Sequence, residues 1–337
     1  MTVPFVARRP GDQLTDAAPD DRRSGSGSAL SEFSVLESFV ADPAVTDVFA
    51  NGAGGVWIDR GHGLEKQGGV RLAEPELREL AVRLVAIGGR HIDEASPCVD
   101  TRLHDGIRVH AILPPISPAG TLLSIRLPRV QVLGLDELEQ SGFFSVVPVA
   151  VVRDLVARRQ NLLVTGAAGS GKTTLLGAML GAADPRERIV AIEDVGELRV
   201  AHPHFVALEA RQANLEGVGE VGLARLLREA LRMRPDRLVL GECRGAEIRE
   251  LLSALNTGHD GGAGTLHANS LDDVPARLEA LGALADLRPD AVARQTVSAI
   301  GAVLHVERIA GVRRLAAIGR FALDSRDRLT VQAHEAQ

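Results

Sequence analysis

The chain has 337 residues, more than one average domain of roughly 100–200 residues and enough for one large or two modest ones. Hydrophobic residues make up 45% and charged residues 24%, ordinary globular proportions that exclude a wholly disordered, collagenous or fibrous chain. Lys and Arg number 38 against 44 Asp and Glu, and a net charge of -6 gives no sign of bulk binding to nucleic acid or anionic lipid.

Two cysteines, Cys98 and Cys243, cannot build a disulfide framework and neither sits in a C-x-x-C pair, which reads as a reducing compartment. The opening M-T-V-P-F-V-A-R-R-P holds no apolar stretch of signal-peptide length. The longest strongly apolar run, Phe143 to Val152, is interrupted by Pro148 and is about half of the ~20 residues a membrane-spanning helix needs. A soluble chain with peripheral membrane contact is therefore expected. Eight Phe, one Trp and no Tyr leave little material for stacking bases.

Residues 7–28 are rich in Asp, Arg, Pro, Gly and Ser, with too few apolar groups to offset ordering entropy, and 1–28 is expected to be a disordered leader. Leu30, Phe33, Leu36, Phe39 and Val40 recur at helical spacing, limited by Pro43. Apolar runs at 45–49 and 56–58, parted by Asn51-Gly52 and Gly54-Gly55, predict two strands and a turn. Glu74 to Ile87 predicts an amphipathic helix stopped by Gly88-Gly89, and Val99–Leu103 with Ile107–Leu113 predicts a hairpin about Asp105-Gly106. With Thr121–Arg126 these make a small α+β domain over 29–127, followed by a linker over 128–145.

Beyond it strands and helices alternate. Strands are expected at 161–165, 188–192, 204–208, 238–240 and 263–266, helices at 172–180, 222–233, 246–256 and 271–285, then a hairpin, 301–307 and 312–323, about Ala310-Gly311. Alternation with helical crossovers predicts an α/β domain over 146–325 with a mostly parallel sheet, leaving 326–337 as a tail.

The strongest chemical signal is G-A-A-G-S-G-K-T-T: Gly166, Ala167, Ala168, Gly169, Ser170, Gly171, Lys172, Thr173 and Thr174. It fits G-x-x-x-x-G-K-[ST] between a strand and a helix, the context the phosphate loop requires. Glycines let backbone N–H groups turn inward around phosphate oxygens, and the helix N-terminus adds positive potential. Lys172 supplies charge for the β/γ-phosphates, and the Thr173 hydroxyl is placed to hold Mg²⁺. A nucleoside triphosphate is the expected ligand. No N-K-x-D reader of guanine and no L-S-G-G-Q-like transporter signature occurs in the chain.

Three further segments carry chemistry. R-I-V-A-I-E-D ends a strand with Glu193-Asp194, where a carboxylate can polarise an attacking water; a solvated acidic turn is the plain alternative. R-L-V-L-G-E resembles a Walker-B strand, with Glu242 where Asp is commoner, and such an acid supports the Mg²⁺ shell. T-G-H-D-G-G-A-G-T-L-H-A-N places His259 and His267 in a glycine-rich stretch. Zinc there lacks a third or fourth ligand, so a γ-phosphate sensor fits better.

These four segments, with L-R-M-R-P-D ahead of the third, occur in the order of the secretion-ATPase superfamily, where they are called Walker A, Asp box, Walker B and His box. The chain most resembles the TadA/CpaF branch, which powers Flp/Tad pilus assembly. E-A-R-Q-A-N-L-E-G-V-G-E (209–220), D-T-R-L-H-D-G-I-R-V-H-A-I-L-P-P (100–115) and S-I-R (124–126) are similar to that branch, so the resemblance covers about 30–323. It implies a RecA-like phosphate-loop domain preceded by the small domain, with nucleotide held between the two in a hexameric ring. It implies a cytoplasmic ATPase using ATP and Mg²⁺, peripheral on the inner face of the membrane, its partner an inner-membrane pilus or secretion platform.

Carried over residue by residue, the resemblance implies that Lys172 and Thr173 bind phosphate and Mg²⁺, that Glu242 supports the metal and that Glu193 activates water. His259 and His267 would couple the γ-phosphate to domain movement. Arg108 and Arg126, in D-G-x-R and S-I-R, would clamp phosphates, with Arg102 as a third. Two departures stand out: Leu127-Pro128 replaces the Lys that commonly follows S-I-R, and two cysteines cannot form the tetracysteine zinc module of type II relatives. A DNA-translocating motor of conjugation type and a nucleotide switch without turnover are the competing readings.

Overall fold

The computed structural model describes residues 30–61, 63–128, 132–211, 218–309 and 311–334. The expected leader over 1–28 lies outside the described residues. The chain divides into two compact units, Met1–Pro128 and Arg129–Gln337.

In the first unit a 3-10 turn, Ser31–Leu36, runs into helix α1 (Glu37–Ala41). Six strands follow: β1 (Asp47–Asn51), β2 (Val56–Asp59), β3 (Leu64–Gln67), β4 (Cys98–Arg102), β5 (Arg108–Ile112) and β6 (Leu122–Arg126). They form one antiparallel sheet in the order β3-β2-β1-β6-β5-β4. Alternation builds its inner face: Val48 and Ala50, Val109 and Ala111, and Leu123 and Ile125 are all buried. Helix α2 (Glu74–Ile87) joins the same core with Leu77, Leu80, Ala81, Leu84 and Val85, spaced three and four apart. It begins where the Glu76 carboxylate accepts the Ala73 N–H at 3.1 Å, and it stops at Gly88, where any side chain would run into Thr101. Strand β3 is a departure from the sequence reading. Its Leu64, Glu65 and Lys66 are exposed, so an edge strand held by its ladder to β2 shows no apolar alternation.

The second unit opens with α3 (Leu135–Gln140) and α4 (Val149–Ala157). The linker expected over 128–145 therefore holds a helix, capped where the Glu137 carboxylate accepts the Gly134 N–H at 2.9 Å. Pro148 is the N-cap of α4, so the apolar run at 143–152 is a buried approach, Phe143 and Phe144, followed by a helix start.

Then come β7 (Leu162–Gly166), α5 (Lys172–Gly181), β8 (Ile189–Glu193), β9 (Phe205–Glu209), α6 (Leu223–Leu231), β10 (Arg237–Leu240), α7 (Ile248–Leu255) and β11 (Ala263–His267). Helices α8 (Val274–Leu284) and α9 (Pro289–Ala299) and strands β12 (Ala302–Ile309), β13 (Val312–Leu323) and β14 (Leu329–His334) complete it.

The eight strands lie in the order β14-β13-β12-β7-β11-β10-β8-β9, parallel from β12 to β9 and antiparallel across β13 and β14. Both faces are covered. Leu163, Val190, Ile192, Leu238, Leu240 and Leu266 pack with α6 to α9, and Leu162, Val164, Ile189, Ala191 and Val239 pack with α3 to α5. Two-sided burial is why these strands read as unbroken apolar runs. The tail expected over 326–337 is corrected at 329–334, which form β14 along β13. Only alternate residues of this short edge strand face the core, so L-T-V-Q-A-H carries a weak signal. Helix α9 went unread because its apolar residues are small, chiefly Ala and Val, and are interleaved with five polar ones, so no strong apolar stripe shows.

Candidate active site

Four parallel strands deliver the motifs to one edge. β7 ends in the glycine loop, β11 ends at His267, β10 runs into Gly241-Glu242 and β8 ends at Glu193. In an open α/β sheet the carboxyl ends of the strands are where ligands bind. Because the spatial order is β7-β11-β10-β8, the last motif in the chain stands next to the first.

The loop is shaped by glycine. Gly166, Gly169 and Gly171 hold φ of +149°, +68° and +106°, values that side chains rarely tolerate. Gly171 leads directly into α5, whose first ladder bond is Leu175 N–H to Gly171 O at 2.9 Å. The N–H groups of Lys172, Thr173 and Thr174 precede that ladder and point off the helix end. Ala167, Ala168 and Gly169 are exposed at the crown, while the Ser170 hydroxyl is buried with no partner among the described residues. Thr173 and Thr174 are half-buried in the first turn.

The Lys172 ammonium donates to the carbonyl oxygens of Gly166 at 3.0 Å and Ala167 at 2.9 Å, and to Nδ1 of His267 at 3.3 Å. His267 Nε2 meets Glu242 Oε1 at 3.0 Å, and Arg244 Nη2 donates to Glu242 Oε2 at 2.6 Å. One tautomer satisfies this chain: Nδ1 facing a donor-only ammonium must accept, and Nε2–H facing a carboxylate must donate. Burial and the Lys172 charge hold the His267 pKa below its usual value despite Glu242, in keeping with a neutral ring. Burial opposes ionisation of Glu242, but the Arg244 hydrogen bond and the charges of Arg244, His267 and Lys172 outweigh it and lower its pKa. Burial also lowers the pKa of Lys172, against the attraction of Glu242.

Glu193 is buried at 4% exposure. Its Oε1 accepts the N–H groups of Glu197 and Leu198, each at 2.9 Å, while Oε2 has no partner among the described residues. Burial raises its pKa, more than the two N–H groups lower it. It lies beside Gly241, where a Cβ would come within 2.5 Å of Glu193 Cγ, so the glycine before Glu242 makes room for the second carboxylate.

Lys172, His267 and Glu242 are thus brought into one hydrogen-bonded chain. His259, expected to couple the γ-phosphate to domain movement, is not part of that chain. It precedes β11 and so lies at the amino edge of the sheet, the full strand away from His267, with Nδ1 on the Ala254 carbonyl at 3.2 Å. In the first unit, Arg108 stands directly opposite Arg126 on one side and Arg102 on the other, and Asp47 follows Arg126. Directly opposite residues share a face, so the three arginines form one cross-strand row. Arg108 Nη2 lies 3.6 Å from Asp100 Oδ2.

Sequence reasoning missed three side chains here. Arg244 follows Glu242 by two residues and pairs with it. Buried Thr265 donates to the Gly241 carbonyl at 2.6 Å, tying β11 to the approach to Glu242. Arg313 donates from Nε to the Gly169 carbonyl at 3.0 Å across 144 residues of sequence, a contact no local pattern announces.

The chain is similar to a Mycobacterium tuberculosis protein named for conjugal transfer, 49% identical over 292 residues that cover 84% of this chain and 83% of that one. It is also similar to the type IV secretion system protein PtlH of Bordetella pertussis, 33% identical over 79% of this chain and 84% of that one. Its fold is like that of the pilus retraction motor PilT, solved with bound ADP: TM-score 0.57 at 18% identity, covering 90% of this chain and 81% of that one. That likeness is one of fold, a RecA-like domain preceded by a smaller one. The family described as type II/IV secretion system protein matches residues 29–312, and the chain belongs to that family.

Proposed function

We propose that this chain is a Mg²⁺-dependent ATPase that works as a hexameric motor at the cytoplasmic face of a membrane, driving Flp/Tad-type pilus assembly or type II/IV-like secretion. The observation that carries the reading is the chain Lys172–His267–Glu242–Arg244 at the mouth of a glycine loop. The residues fit the ligand. Off-ladder N–H groups, an ammonium and a positive helix end complement a polyphosphate. Among the described residues no cluster of three His, Cys, Asp or Glu side chains could hold a metal alone. A Mg²⁺ here would be held by the Thr173 hydroxyl and by Glu242, directly or through its water, with phosphate oxygens completing the shell. When bound it would neutralise charge developing on the phosphates.

Glu193 acts as the base in this reading. One oxygen is anchored by two main-chain N–H groups, and the unpartnered one takes the proton of the attacking water. Burial, by raising its pKa, strengthens it for that task. His267 links the phosphate-binding ammonium to the carboxylate that supports the metal, so a phosphate that draws Lys172 off Nδ1 is felt at Glu242. Arg108 and Arg126 stabilise transferred charge. Among the described residues no helix is long and apolar enough to cross a membrane.

A second reading, translocation of DNA, is favoured by the conjugal-transfer name of the mycobacterial relative. The net charge of -6 and the scarcity of aromatic residues weigh against it. Steady-state phosphate release with Mg-ATP, with and without DNA and with Lys172→Ala as the blank, tests both. Turnover at least about 100-fold above the blank and indifferent to DNA is expected. Strong stimulation by DNA would promote the second reading, and turnover equal to the blank would end the ATPase reading.

A further inference from the structure

The glycine loop is braced from behind by a part of the chain that belongs to none of the four motifs. Strands β12 and β13 carry a bulge between His305 and Val306, at the height of the loop. A Cβ at Gly166 would run into the Val306 carbonyl oxygen, and one at Gly171 would come within 3.3 Å of Arg313 Cδ and 3.7 Å of Phe143. His305 Nδ1 meets the Thr165 hydroxyl at 2.9 Å, one residue before the loop. Arg313 Nε reaches the Gly169 carbonyl at 3.0 Å.

The last contact has a directional consequence. In a trans peptide the C=O and the following N–H point to opposite sides. A guanidinium that draws the Gly169 carbonyl outward toward β13 therefore turns the Ser170 N–H inward, where it spans the loop to the Ala167 carbonyl at a long 3.3 Å. A bond of that length is easily exchanged for a phosphate oxygen. The cationic partner also polarises the peptide and makes the donor stronger.

We propose that Arg313 is a positioning residue for triphosphate binding: it fixes the Gly169–Ser170 peptide with its N–H inside the loop. The inference rests on the nucleotide-binding reading of the site. It assigns to the β12–β13 hairpin a part in ligand affinity, and to Arg313 none in the reacting atoms.

The test uses the full chain, Mg-ADP titrated by calorimetry and steady-state release from Mg-ATP. Arg313→Met keeps the aliphatic stem packed over Gly171 and removes the donor. It should weaken Mg-ADP binding and raise KM by about tenfold each, the scale of one lost charge-assisted hydrogen bond, while kcat stays within about threefold. Arg313→Lys, which retains a charged donor, should recover most of the affinity.

Wild-type affinity in Arg313→Met, or equal weakening in the Met and Lys variants, overturns the proposal. So does loss of kcat at unchanged affinity, which would put Arg313 on the reaction itself. If Arg313→Met fails to fold, the comparison of Arg313→Lys with Arg313→Gln reads the same contact. Wild-type protein that neither binds Mg-ADP nor hydrolyses Mg-ATP overturns the nucleotide reading and this inference together; wild-type binding with an indifferent Met variant overturns this inference alone.

Discussion

In the six-stranded sheet Arg102, Arg108 and Arg126 stand side by side because strand register sets them opposite one another. In the eight-stranded sheet Lys172, His267, Glu242 and Glu193 share an edge because four parallel strands end there. An antiparallel sheet alternates its strand ends, so it can collect side chains only in transverse rows on one face. A parallel sheet delivers every carboxyl end to the same edge, whatever the distance in sequence. The row depends on register to the residue, since a one-residue slip sends a side chain to the other face. The edge tolerates such slips in its loops but needs glycine wherever two motifs crowd, as Gly241 does beside Glu193.

The largest effect should come from breaking the row. If Arg108 and Arg126 stabilise transferred charge, Arg108→Ala and Arg126→Ala each lower kcat by about 10³-fold in steady-state phosphate release, the lower end for such an arginine. Turnover within about twofold of wild type would leave the row a surface feature and the chemistry entirely with the parallel edge. A loss at one position and not the other would sharpen the comparison, by showing that the row acts through a single member.

Within the edge, Glu193→Gln separates proton transfer from binding. The amide oxygen can still accept the N–H groups of Glu197 and Leu198, so the local fold is kept while the basic oxygen is lost. Turnover should fall by about 10²-fold or more with Mg-ADP affinity within about threefold. Unchanged turnover would remove Glu193 from the mechanism and leave Glu242 as the remaining carboxylate of the cluster.

The two sheets also differed in how far the sequence disclosed them. The loop at 166–174 was legible because its glycines answer a backbone demand, and the φ values at Gly166, Gly169 and Gly171 are that demand. The buried strands Leu162–Gly166 and Ile189–Glu193 were legible as continuous apolar runs. Strand Leu64–Gln67, helix Leu135–Gln140 and strand Leu329–His334 were not, because each is short and turns few apolar side chains inward. Contacts between distant residues were beyond any local pattern: Lys172 to His267 spans 95 positions and Arg313 to Gly169 spans 144. The distance of His259 from that cluster was hidden for the opposite reason. Eight positions from His267 invite the inference of nearness, yet the five residues Ala263–His267 form a strand, and at roughly 3.3 Å per residue that strand carries the chain across the sheet.

The smallest effect is expected at that residue, and it tests the comparison at its far edge. Around His259 the amino ends of the strands are held by structural polar contacts. Asn161 accepts the Gly262 N–H at 2.9 Å and donates to the Leu255 and Ala299 carbonyls. Buried Arg237 pairs with Glu187 at 2.5 Å and donates to the Val156 carbonyl, and Arg159 reaches the same Glu187 at 2.8 Å. These groups tie helix ends to strand starts, and His259 does the same for α7 through the Ala254 carbonyl. His259→Ala should therefore leave kcat and KM within about twofold and reduce stability by about 1 kcal/mol, the worth of one hydrogen bond, read as a lowered Tm. His267→Ala, measured beside it, removes the link between Lys172 and Glu242 and should lose turnover instead. Equal loss of turnover in the two variants would mean that both edges of the parallel sheet serve the reaction, and the division of labour between them would fail.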